Sequence, residues 1–203
     1  MLISKQDAKL FFKLQKALLI YGASKMSKNA GIFDANAFKN SPLEKWAEAR
    51  DYVMENISLI QQYTNENPDN FLGEELALIQ DWKNAKMGDF IVERHLKNYS
   101  IFLDVNDDKK AYGVLGLTQE FTKIMPFFPI WITGVLLPWK NQIVCDGLFR
   151  CKLMHFGGGI RSTFKEQYLI AKKLGIITSL ETEYVPTLHA KARGKLQLVS
   201  PRL

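Results

Sequence analysis

The hydrophobic period of this chain changes at Gly88, and that change limits the folds open to it. Before Gly88, apolar residues recur every three or four positions, as on one face of a helix. After it they recur every second position, as on one face of a strand. A chain patterned in this way reads as helices first and sheet second.

Three helices are expected in the first part. Ser4 and Asp7 form a cap-like start, and Leu10, Leu14, Ala17, Leu18 and Tyr21 then fall on one face. Residues 22–40 are small, polar and glycine-punctuated and read as a long loop with a short turn at 32–38. Ser41, Pro42 and Glu44 spell an N-cap, an N1 proline and a capping-box partner, ahead of a stripe at Trp46, Ala49, Val53, Ile57 and Ile60. Asn67 and Pro68 can start a third helix, with Phe71, Leu72, Leu76, Ile79 and Trp82 as its apolar stripe.

From Gly88 the pattern predicts strands at 90–97, 99–105 and 111–117, with Asn106 to Lys110 as a polar hairpin loop. One or two helical turns are expected at 118–125. A hairpin follows, 129–137 with 143–149, across Pro138 to Gln142, and Gly147 marks a bend or bulge. Short connections favour antiparallel pairing. Thr163 and Glu166 make a capping box for a helix ending at Gly175, with Phe164, Tyr168, Ala171 and Leu174 facing inward. A last strand is expected at 176–180. The predicted fold is α+β: an N-terminal three-helix subdomain (1–87) packed against a mostly antiparallel five- to six-stranded sheet with one C-terminal helix (88–180), then a basic C-terminal arm (181–203).

Charge is unevenly placed. Residues 1–87 carry 11 basic and 11 acidic residues, and the remainder carry 16 against 10, which is the whole net charge of +6. Between 150 and 173 lie Arg150, Lys152, Arg161, Lys165, Lys172 and Lys173 against Glu166 alone. A basic face favours an acidic partner, a protein or a nucleic acid. Trp139, beside Lys140 at a turn, reads as an exposed stacking platform for such a partner. The most apolar run, Ile124 to Trp139, is shorter than the ~20 residues of a spanning helix and holds three prolines. No membrane association is therefore expected. Two cysteines, no CxxC spacing and no apolar leader lead to the expectation of a reducing, cytoplasmic setting.

One local feature has the chemistry to hold an anion. Gly157, Gly158 and Gly159 precede Arg161, Ser162 and Thr163 at a helix start, where backbone N–H groups and a guanidinium converge. The same glycines equally serve to reverse the chain. The run is not a dinucleotide fingerprint, because Ser162 stands at the third glycine and Arg150 and Lys152 interrupt the preceding strand. Nor is it a P-loop, since no GKS or GKT follows. Asp104 to Leu115 fails as a calcium loop, with Lys109 for the required glycine and Leu115 for the final glutamate. Cys145, Cys151 and His155 offer only three metal ligands, and a continuous strand would hold the cysteines ~20 Å apart. No catalytic constellation, metal or cofactor is expected. The sequence points to a non-enzymatic module that binds a macromolecule through its basic C-terminal face. The alternatives are an anion- or phosphate-ligand-binding protein, possibly an enzyme, using Gly157–Thr163, and a structural assembly protein.

Overall fold

The computed structural model describes residues 1–26, 33–152 and 154–180. Helices occupy the N-terminal part: α1 (Lys5–Met26), α2 (Ala35–Lys39), α3 (Leu43–Glu55), α4 (Ser58–Glu66) and α5 (Gly73–Asp81), the last running into a 3₁₀ turn at Trp82–Asn84. Strands β1 (Lys86–His95), β2 (Ser100–Asp104) and β3 (Ala111–Leu115) follow, then the one-turn α6 (Phe121–Ile124). Strands β4 (Ile130–Trp139), β5 (Gln142–Cys145) and β6 (Arg150–Lys152) precede α7 (Gly158–Leu174). The fold is α+β, as the change of period predicts.

The first helix begins where its cap residues place it. The Asp7 amide donates to Ser4 Oγ at 3.0 Å, and Ser4 Oγ donates to the Asp7 carboxylate at 2.7 Å. It runs past Gly22, which the sequence assigns to a loop. A Cβ on Gly22 would lie 2.3 Å from Val53 Cγ2, so this glycine is the point where α1 and α3 cross closely. The 22–40 loop is thus shortened from both ends, by α1 and by α2. The expected Ser41 capping box is not made: Pro42 is the N-cap, in an extended conformation, with no side-chain cap bond. The predicted second helix is two, because the chain breaks at Asn56 and Ile57 stands 40% exposed. The third starts at Gly73 rather than Asn67. Asn67 instead ends α4 in the left-handed conformation, at φ 41°.

The strands close on themselves. β1 pairs with both β2 and β4, β2 with β3, β3 with β5, and β5 with β4, which completes a five-stranded ring. β6 extends it by pairing with the first half of β4. All pairings except β3–β5 are antiparallel. Side chains alternate accordingly. Phe90, Val92, Phe102, Tyr112, Val114, Ile132, Leu136, Ile143 and Cys145 fill the barrel, and Phe121 and Met125 of the α6 segment join them. Val135, Leu137, Trp139 and Val144 face outward into the helices, sharing one core with α1, α3, α4 and α5. Ile91, Ile101, Leu103 and Ala111 face outward on the other side, where α7 covers them with Tyr168 and Ala171. Leu174, expected on that inner face, is 49% exposed.

Two further expectations are corrected at the C-terminal end. α7 begins at Gly158, one turn before the Thr163–Glu166 box, and the Thr163 hydroxyl donates back to the Gly159 carbonyl instead. Residues 176–180 make an isolated bridge, not a strand: Ile177 exchanges two backbone hydrogen bonds with Ala111 and Gly113 of β3. They occupy the part of β3 that β5 is too short to reach. The 181–203 arm lies outside the described residues.

Candidate ligand-binding cleft

Helices and barrel leave an open cleft of about 740 Å³ between them. One wall comes from α1 (Phe12, Leu19, Ile20) and α3 (Leu43, Trp46). The other comes from Leu117, Phe121 and Ile124 around α6 and from Leu148 and Phe149 after β5. The polar lining is sparse: Gln15, Lys16, Lys39, Ser41, Thr118, Gln119 and Asp146.

The floor is a buried polar network. Arg50 on α3 is 2% exposed and Asp146 is 1% exposed. Arg50 Nη1 donates to the Asp146 carboxylate, Nη2 to the Leu148 carbonyl at 3.1 Å, and Nε to Asp51 at 2.6 Å. The other Asp146 oxygen accepts from the Leu148 amide at 3.0 Å, and Gln15 donates to the Asp146 backbone carbonyl at 2.9 Å. Gly147 makes this possible. Its φ of 81° turns the chain sharply after β5, so that one residue's side chain and the next residues' backbone face the same guanidinium. Burial pushes the Asp146 carboxyl above its ordinary value, despite the pull of Arg50 and the Leu148 amide. Burial also pushes the neighbouring Cys145 thiol well up, which removes it as a nucleophile near neutral pH.

Ser41 Oγ is buried and has no hydrogen-bond partner among the described residues. Lys16 and Lys39 are exposed and have no ion-pair partner among them. The cleft therefore has an apolar body and, among the described residues, two cations on its lining without an ion-pair partner.

No known protein family, curated protein or solved structure matches this chain.

The residues singled out from sequence lie elsewhere. Gly157 is the N-cap of α7, and Gly158, Gly159, Arg161, Ser162 and Thr163 form its exposed first turns. Gly157 has φ −66°, so no left-handed turn is needed there; Gly147 and Gly175 take that role. Arg161 Nε donates to the Phe156 carbonyl at 3.0 Å. On the basic face, Arg150 pairs with Asp51 at 3.1 Å and Lys152 with Asp89 at 2.9 Å, while Lys140 is held by Asp7. Acidic residues of the helical part and of β1 thus answer Arg150, Lys152 and Lys140. Arg161, Lys165 and Lys172 share one face of α7, at spacings of four and seven, and Lys173 points away from it. Trp139 is not exposed. It is 1% accessible and sits in the core, edge-on to Phe11 at 5.3 Å. Cys145 lies inside the barrel and Cys151 on exposed β6, both as free thiols. Among the described residues no three His, Cys, Asp or Glu side chains are grouped to hold a metal.

The ion pairs of β6 contribute little to stability, since Arg150 is 53% and Lys152 45% exposed. Lys152→Ala is expected to change the unfolding free energy by less than about 1 kcal/mol in urea titrations.

Proposed function

We propose that this protein binds a small, largely apolar molecule in the cleft between its helices and its barrel. The observation that carries the reading is the cleft itself: about 740 Å³, walled by aromatic and aliphatic side chains, with few polar groups. Ligand sites are of this kind, roughly 300–1,000 Å³ and mostly apolar, with a few placed polar groups. The Arg50–Asp146 network supports it by fixing the floor from two elements distant in sequence.

The rival reading, a macromolecule on the basic C-terminal face, has less behind it. Its β6 cations are paired within the chain. Five-stranded Greek-key barrels of the OB type take oligonucleotides across strands 2 and 3, and here α7 lies over the corresponding strands. That comparison is one of architecture only. We retain the cytoplasm as the proposed compartment, in keeping with two unpaired thiols. No helix among the described residues is long and apolar enough to cross a membrane.

Trp46 supplies a reporter. Titration with N-phenyl-1-naphthylamine, a neutral fluorescent probe, should give saturable one-to-one binding with energy transfer from Trp46. Thr118 is exposed on the cleft wall, so Thr118→Trp fills space without disturbing the core. It is expected to weaken the probe at least about tenfold with an unchanged melting temperature. Binding that does not saturate, or that Thr118→Trp leaves intact, would place the probe outside the cleft and end the proposal.

A further inference from the structure

Resting on the cleft reading, we infer that the ligand is an anionic amphiphile, an apolar body ending in a carboxylate or an equivalent monoanion. The charges lining the cleft decide its sign. Asp146 is the one acidic residue there among the described residues, and it is committed: Arg50 and the Leu148 amide take its two oxygens. Gln15 has its amide committed to the Asp146 backbone. Lys16 on α1 and Lys39 on α2 remain, both exposed and without ion-pair partners among the described residues. Among the described residues no other titratable acid or base lines the wall apart from the deeply buried Cys145 thiol. A neutral ligand would leave two cations beside a buried apolar body unanswered. An anion with its tail against Phe12, Leu19 and Trp46 would answer them.

The test compares decanoate with decanol as competitors of N-phenyl-1-naphthylamine, so that tail length is held constant and only the head group changes. Decanoate is expected to bind about tenfold more tightly than decanol at low salt, the scale of two partly screened charge pairs. The ratio should shrink toward unity as sodium chloride is raised, because exposed charges are screened. In the double variant Lys16→Gln, Lys39→Gln the preference should vanish while decanol affinity is unchanged. Lys9→Gln, on α1 but off the cleft wall, controls for net charge and should keep the preference. Equal affinities in the native protein, or a preference that survives the double variant, would overturn the anionic assignment and leave the cleft reading standing. Failure of both competitors to displace the probe would overturn both. The lysines are exposed and have no ion-pair partner among the described residues, so the variants are expected to fold, and a circular-dichroism melt checks that.

Discussion

Asp146→Ala is expected to lower the unfolding free energy by about 3–5 kcal/mol, the usual cost of removing one member of a buried ion pair. The substitution takes the buried carboxylate from the Arg50 guanidinium, which cannot shed its proton, is only 2% exposed, and keeps only the partly exposed Asp51 as a carboxylate partner among the described residues. Arg50→Met makes the opposite cut, and its cost should depend on pH. Without Arg50 the Asp146 carboxyl loses the pull that partly opposes its burial, so its folded pKa rises further above the unfolded value. Between the two values the folded state holds more protons than the unfolded chain, and stability falls as pH rises through the folded pKa. The Arg50→Met penalty should therefore be largest at pH 8 and smaller at pH 5.5, whereas the Asp146→Ala penalty, which removes the titrating group itself, should not rise with pH. Urea titrations at the two pH values distinguish these outcomes. Equal penalties at both would mean that Asp146 is not the group left bare.

Trp139→Ala should cost about 3–5 kcal/mol, as for other large-to-small core changes. Its ring is 1% exposed and lies edge-on to Phe11 at 5.3 Å, and Phe11 in turn meets Trp82 at 5.4 Å. The Trp139 indole nitrogen has no hydrogen-bond partner among the described residues. Trp139→Phe, which also removes that unpartnered N–H, should consequently cost well under half as much. If Trp139 were a surface stacking platform, neither change would alter stability. A Trp139→Ala protein with a native denaturation midpoint would contradict the packing described here.

That tryptophan marks where sequence reading stops. The turn beside it was legible, and it is the two-residue Lys140–Asn141 turn, both with positive φ. Legible too was the strand on each side. Which way the side chain points was not, because strand parity carries meaning only when both faces have known partners. β4 is covered on both faces, by the barrel interior and by the helices, so its alternation offers no polar face. The same blindness explains Gly22, whose role depends on Val53 across a helix crossing. It also explains the cleft, which is built from four separated stretches. Arg50 and Asp146 are 96 residues apart, and each looks alone like an ordinary surface charge. What could be read locally, such as the Ser4–Asp7 cap, the change of period at Gly88 and the glycine at Gly175, holds in the structure.

The shared core has a bearing on how the chain is born. Helices α1, α3, α4 and α5 leave the ribosome before the strands against which they pack, and domains ordinarily mature from the amino end as they emerge. Here the apolar stripes of the early helices must wait for Val135, Leu137, Trp139 and Val144 to be synthesised. During that interval the nascent front segment is greasy and unshielded, so translation to the end of β5 sets the earliest moment at which it can settle.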